Sequence, residues 1–173
     1  PARLMLSEYV EGTSNHKAIE IRNRESVIVD VTSCVLRRYS NGATSSVSIA
    51  LSGLIAPNDV LVVCNGAIDM AATRCDITSS AVNHNGDDAY DLACDGVVLD
   101  TFGRIGEAPT GGFWIDVPSG MRTQDYVLVR RCAVTSGDLN GSDAFNPATE
   151  WQGAPWVDLA TSLTGLGNHT ECP

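Results

Sequence analysis

The sequence lacks any long uninterrupted hydrophobic run. Its longest apolar run, Val60 to Cys64, has the length of a β-strand, whereas a membrane-spanning helix needs roughly 18 to 20 apolar residues. We therefore predict no membrane span. The chain begins at Pro1 without an initiator methionine or a basic leader, so we expect a processed mature protein or an excised domain.

Positive charge is also scarce. Eleven Lys and Arg stand against 21 Asp and Glu, which gives a net charge of −10. Such a surface repels phosphate backbones, so nucleic acid is a disfavoured partner. Two local exceptions occur, and they define a candidate anion-binding patch if their strands lie close together: Arg37, Arg38, Arg130 and Arg131. The alternative is that these arginines are solvated or ion-paired.

Motifs for catalysis are absent. The sequence contains no G-x-S-x-G elbow, no H-E-x-x-H pair and no phosphate-binding glycine loop. Glu8 and Glu20 can meet across neighbouring strands, but only 6% of residues are aromatic, which argues against a sugar-binding pocket. The histidines lie in polar segments, and we predict that they are at the surface: His16, His84 and His169. These features favour a protein that is not an enzyme.

The six cysteines form no C-x-x-C pair, so common zinc-binding and redox spacings are missing. We predict three disulfides, and hence a secreted or cell-surface protein. The cysteines are Cys34, Cys64, Cys75, Cys94, Cys132 and Cys172. The sequence leaves their connectivity open. Cys64 and Cys75 form the favoured single pair, because they would close a short excursion after a predicted strand.

Alternation of apolar and polar residues is the dominant pattern. Nine short segments show it, and turn residues separate them: RLMLSEYVE, KAIEIRN, SVIVDV, CVLRRYS, SVSIAL, VLVVCN, DAYDLAC, GVVLDTFG and DYVLVRRC. This pattern predicts an antiparallel β-sandwich in a single domain. Asp95-Gly96 predicts a type I′ hairpin turn. Residues 66–75 predict a helical turn, and residues 104–124 and 135 onward predict long loops.

Two acidic segments are weak candidates for a calcium site, because Ca²⁺ prefers oxygen ligands. Asp87 and Asp88 follow the Asn85-Gly86 turn signal, and Asp138, Asn140 and Asp143 imitate the first half of a calcium loop. Ca²⁺ needs about 6 to 8 oxygens, and neither segment supplies a complete set. Ordinary Asx turns are therefore the favoured interpretation, and no cofactor is predicted.

The three tryptophans also allow two interpretations. Trp151 and Trp156 lie near prolines in a late loop, where they could form an apolar patch for a partner, and Trp114 lies in the 104–124 loop. We favour the alternative, in which the tryptophans fold back to close one end of the sandwich.

Several segments, in this order, resemble the lamin-tail domain, in particular its bacterial secreted type. They are LMLSEYVEGTSNHKAIEIRN, CVLRRYSNG, LSGLIAPNDVLVVCN, NHNGDDAYDLACDGVVLDTFGRIG, DYVLVRR and NPATEW. The resemblance implies an immunoglobulin-like antiparallel β-sandwich over residues 1–173, with a core at about 4–151 and a loop-rich extension at 152–173. It also implies a non-catalytic recognition or scaffolding module, accessory to an extracellular nuclease or other hydrolase, whose partner is a protein or a surface polymer.

Two other functions remain open. A small metal-dependent extracellular hydrolase would use Asp87, Asp88 and His84 around the metal. A self-associating envelope or matrix protein would pair through exposed strand edges instead.

Overall fold

Strands make up most of the regular structure. The computed structural model describes residues 4–69 and 74–168, and these contain twelve β-strands and two short helices. The strands are β1 Leu4–Glu11, β2 Lys17–Asn23, β3 Val29–Asp30, β4 Cys34–Tyr39, β5 Val47–Ala50, β6 Leu54–Ile55, β7 Val60–Cys64, β8 Ile77–Thr78, β9 Ala89–Cys94, β10 Val97–Phe102, β11 Tyr126–Arg130 and β12 Trp151–Pro155. The helices are α1 Pro147–Glu150 and α2 Leu159–Ser162.

The strands form two main sheets and one small one. The larger sheet has six strands in the order β12-β11-β1-β2-β7-β8, and the second has four in the order β10-β9-β4-β5. Strands β3 and β6 form a separate two-stranded sheet. Every pairing is antiparallel except that of β7 with β8.

Side chains from both large sheets share one hydrophobic core, which makes the fold an all-β sandwich. The six-stranded sheet contributes apolar residues of β1, β2, β7, β11 and β12, and the four-stranded sheet contributes those of β4, β5, β9 and β10. Along β2, Ile19 and Ile21 point into this core while Ala18 belongs to a second cluster on the opposite face. The alternation read from the sequence therefore marks the two faces of the sheet.

All nine segments predicted as strands contain a strand, and the predicted sandwich is confirmed. The sequence reading missed β6, β8 and β12. Strands β6 and β8 have only two residues each, too few to show a period. Strand β12, at Trp151–Pro155, includes Gly153 and Pro155, and both residue types are unfavourable in strands. It lies at a sheet edge, the position where proline is tolerated.

The hairpin prediction is confirmed at Asp95-Gly96. Both residues have positive φ angles, 50° and 79°, as a type I′ turn requires, and Cys94 pairs with Val97 across the turn. The register then shifts between Val98 and Asp100. This bulge lets Leu99 and Phe102 both reach the core, although strict alternation would place them on opposite faces.

The predicted helical turn at 66–75 is not seen in its described part. Residues 66–67 form a turn, residues 68–69 and 74–75 are not helical, and residues 70–73 lie outside the described residues. The stretch after residue 135, predicted as loop, instead contains α1, β12 and α2. Both helices have only four residues, so no helical period could be read from them. Each begins at a side-chain cap, Asn146 or Asp158.

Two disulfides are present in the described residues. Cys64–Cys75 is the pair that the sequence reading favoured. Cys34–Cys94 joins directly opposite residues of β4 and β9. Cys132 is also disulfide-bonded, and Cys172 lies outside the described residues.

The outer face of the six-stranded sheet is covered by the end of the chain. Leu163 and Leu166 pack on Val10, Ala18 and Val62 there. Among the residues described, neither helix is long or apolar enough to cross a membrane.

Candidate functional sites

Adjacent arginines of β4 form ion pairs with two carboxylates, one within β9 and one just before it. Arg37 Nε and Nη2 donate to the two oxygens of Asp91 at 2.6 and 2.8 Å, which raises the pKa of Arg37. Arg38 Nη1 donates to Asp88 at 2.6 Å. Arg37 and Asp91 are direct cross-strand partners, so the sheet register itself brings these charges together.

The four arginines of the hypothesised anion-binding patch do not form one basic spot. Arg37 and Arg38 belong to the four-stranded sheet, whereas Arg130 belongs to the six-stranded sheet and Arg131 follows it. Arg37, Arg38 and Arg130 are each neutralised by a carboxylate. Only Arg131 is exposed, and its Nη2 lies 3.4 Å from the Ala148 carbonyl. The ion-paired alternative describes three of these side chains.

His84 is fully buried, so its predicted surface position is wrong. Its Nε2 lies 2.7 Å from the Val10 carbonyl and its Nδ1 lies 2.8 Å from the Tyr90 hydroxyl. Because a carbonyl only accepts, Nε2 carries the proton and Nδ1 accepts from Tyr90. Burial lowers the pKa of His84 to about 3, and the neutral ring packs 4.5 Å from Tyr9. A histidine in a polar segment was buried because the core supplies partners for both nitrogens.

These contacts bear on the proposed metal site at Asp87, Asp88 and His84. Asp88 is buried, and besides Arg38 it accepts a hydrogen bond from the Asn41 backbone nitrogen at 2.9 Å. Asp87 is partly buried, and its burial together with the neighbouring Asp88 charge raises its pKa. The Asn41 amide donates to Asp87 at 3.1 Å when it is oriented to satisfy both groups. The two carboxylates therefore fasten the β4–β5 turn to the segment that precedes β9.

A second buried ion pair joins the two sheets. Asp100 of β10 accepts hydrogen bonds from Arg130 Nη1 at 2.8 Å and from the backbone nitrogens of Leu6 and Asp138 at 2.7 Å each. Burial raises the pKa of Asp100 to about 6, against the opposing effect of Arg130. Arg130 also donates to Glu150, and its guanidinium stacks 4.9 Å from the Trp151 ring.

The second calcium candidate forms a series of Asx turns. Asp138 accepts from the Asn140 nitrogen at 2.8 Å, and the Asn140 side chain accepts from the Ser142 hydroxyl at 2.7 Å. Asp138 and Asp143 line a cavity of about 240 Å³ together with Glu150 and Trp151. In residues 4–69 and 74–168, no group of three or more His, Cys, Asp or Glu is placed to hold a metal ion.

Glu8 and Glu20 do face each other, as direct partners on β1 and β2. Both are buried beneath the end of the chain, where Glu20 accepts from the Ser7 hydroxyl and from the Gly167 nitrogen at 2.7 Å each. Glu20 thus holds the segment around Gly167 against the six-stranded sheet.

The tryptophans pack in three separate places. Trp151 lies in the central core, and Trp114 is buried against Phe145 in a smaller cluster. Trp156 is partly buried over Gly12 and stacks 5.4 Å from His16. They do not form one shared apolar patch.

An open groove lies at the end of the sandwich that contains the Cys34–Cys94 disulfide, and the sequence reading missed it. Its volume is about 370 Å³. We call it the disulfide groove. The residues that line it are Val29, Asp30, Ser33, Cys34, Cys94, Asp95, Val97 and Leu99. The lining comes from four strands and two turns, so no sequence motif could have indicated it.

Searches against known proteins assign no relationship: no family model matches this sequence, and no curated protein matches it significantly.

Proposed function

We propose that this chain is a non-catalytic recognition or scaffolding module of the lamin-tail type. In this proposal it acts outside the cell or at the cell surface, as an accessory domain of a larger protein such as a nuclease or other hydrolase. Three features support the proposal: the resemblance of successive sequence segments to the lamin-tail domain, the sandwich fold and the disulfides. Fold alone does not set function, which depends on the chemical groups at the sites.

The observation that carries the proposal is the state of the groups a hydrolase would need. His84 is held neutral between Tyr90 and Val10, and Asp88 is held by Arg38 and the Asn41 backbone. A general base needs access to substrate and a pKa near the working pH. A buried imidazole with a pKa of about 3 has neither. These contacts favour a structural role for the groups and recognition as the function.

A turnover assay tests the proposal against the hydrolase alternative. The purified protein is incubated with an activated phosphodiester and an activated ester, with Ca²⁺, Mg²⁺, Mn²⁺ or Zn²⁺ in turn. We expect no turnover above that of Asp87→Asn, the matched variant at the partly buried carboxylate. Metal-dependent turnover that Asp87→Asn abolishes would overturn the proposal.

Sedimentation across a wide concentration range tests the self-associating alternative. We expect a monomer throughout, because the net charge of −10 opposes association of identical chains. Assembly into large species as the concentration rises would favour the matrix protein instead.

Double-stranded DNA is expected not to bind even at low salt, because Arg37, Arg38 and Arg130 are already paired.

A further inference from the structure

We propose that the disulfide groove binds an extended polypeptide segment that carries both basic and aliphatic side chains. This inference rests on the proposed recognition function and names its surface and the chemistry of its partner.

Large apolar side chains in and beside the disulfide groove are exposed to solvent. Val97 lines the groove and is 55% exposed. Ile28 immediately precedes the lining residue Val29, and Leu54 is the cross-strand partner of Asp30; they are 61% and 68% exposed. Large aliphatic side chains grouped at a concave surface are typical of binding sites, whereas scattered ones are not.

The lining of the disulfide groove carries negative charge and no positive charge. Asp30 and Asp95 line the groove, both are exposed, and no Lys or Arg is among the lining residues. Asp30 accepts a hydrogen bond from the Thr32 nitrogen at 2.9 Å, a contact that lowers its pKa and keeps it ionised. An apolar floor with two carboxylates complements a segment that presents aliphatic groups beside cations.

The same charges argue against a second copy of this chain as the occupant. Two such grooves would bring four carboxylates together, in molecules that each carry a net charge of −10. A strand-like peptide is a better occupant, because its aliphatic side chains can point into the groove while its long basic side chains extend along the surface to the exposed carboxylates. Aliphatic residues of one face would contact Val29, Val97 and Leu99, and basic residues would reach the two aspartates.

The groove is also well fixed before binding. The Cys34–Cys94 disulfide joins β4 to β9, each of which contributes a lining residue, and the two-residue turn at Asp95-Gly96 connects β9 to β10. A site that is already ordered loses little conformational entropy when it binds.

The experiment uses the intact, oxidised protein and two capped peptides, Lys-Val-Lys-Val-Lys-Val and Glu-Val-Glu-Val-Glu-Val. Backbone amide shifts are followed by nuclear magnetic resonance during titration. We expect the basic peptide to shift the amides of groove residues in a saturable way, and the acidic peptide to leave them unchanged.

Matched variants test the charged and the apolar contributions to binding separately. Asp30→Asn combined with Asp95→Asn is expected to weaken the basic peptide about tenfold at low salt, and less as salt rises. Val97→Ser is expected to weaken it about fivefold at every salt concentration. The controls are Asp143→Asn and Val117→Ser, exposed residues that do not line the groove. They should leave the affinity unchanged.

Three results would overturn the proposal: no saturable shift, shifts centred away from the groove, or equal binding of the acidic peptide. Self-association that Val97→Ser abolishes would also overturn it, by identifying a second copy as the occupant. These failures differ from failure of the proposed function, which the turnover assay measures. If the protein shows no turnover and does not bind the basic peptide, the proposed recognition function stands and only the assignment of the disulfide groove fails.

Discussion

The buried carboxylates and those of the disulfide groove differ in what holds them. Asp88, Asp91 and Asp100 each accept hydrogen bonds from an arginine and from further donors. Asp30 and Asp95 are exposed beside apolar side chains and, in the part of the chain described, pair with no cation. The carboxylates that look reactive in the sequence are therefore held in structural ion pairs, while the carboxylates of β3 and of the Asp95-Gly96 turn stay exposed.

The largest expected effect comes from breaking the ion pair between Arg130 and Asp100. Arg130→Met should lower the free energy of unfolding by about 4 kcal/mol, because it leaves a buried carboxylate without its cation. Arg131→Met, at the exposed neighbour, should change it by less than about 0.5 kcal/mol. Urea unfolding of both variants measures the difference, and equal losses would contradict the structural role of Arg130.

A pH effect of about 3 kcal/mol is expected from His84. Its pKa is about 3 in the folded protein and about 6.5 when unfolded, so only the unfolded state gains a proton as the pH falls from 6.5 toward 3. The contribution of His84 to stability is therefore lost on acidification, by about 3 kcal/mol between pH 7 and pH 4.5. Unfolding free energies of the wild type and His84→Gln at both pH values isolate this contribution.

Asp100 acts in the opposite direction over part of the same range. Its folded pKa of about 6 lies above the ordinary value of 3.8, so the folded state binds the extra proton and stability falls as pH rises from about 4 to 6. The wild-type curve alone would hide the His84 effect. Tyr90→Phe, which removes only the hydroxyl donor to His84, should leave the sign of that effect unchanged.

The Cys34–Cys94 and Cys64–Cys75 disulfides should differ in their contribution to the free energy of unfolding by about 1.5 kcal/mol. Cys34–Cys94 closes a separation of 60 residues and Cys64–Cys75 one of 11, and a longer loop loses more entropy in the unfolded chain. Replacing each pair by alanines and measuring urea unfolding gives the two losses. A greater loss for Cys64–Cys75 would contradict the loop-entropy account.

The smallest stability effect is expected at the groove. Val97→Ser should alter the free energy of unfolding by less than about 0.5 kcal/mol, because its side chain is already exposed. Leu99→Ser, at the buried residue two positions further along β10, is the contrast. It should lower the free energy of unfolding by about 3 kcal/mol. Thermal unfolding of the two variants measures whether the groove surface is separable from the core.

Much of the fold could be predicted from local pattern. The nine alternating segments each contain a strand. Asp95-Gly96 forms the predicted type I′ turn, which requires positive φ angles at both residues. The failure at His84 has a tertiary cause. His84 sits among polar residues in sequence yet is buried, because a histidine that loses its charge fits a core that offers one donor and one acceptor.

The sequence by itself determined the alternation, the turns and the supply of cysteines and carboxylates, because each depends on neighbours along the chain. Only the tertiary structure decided which charges met. Arg37 meets Asp91 and Arg130 meets Asp100 through sheet register and packing, which join residues far apart in sequence. The disulfide groove arises in the same way, since β3, β4 and the β9–β10 hairpin come together only when the sandwich closes.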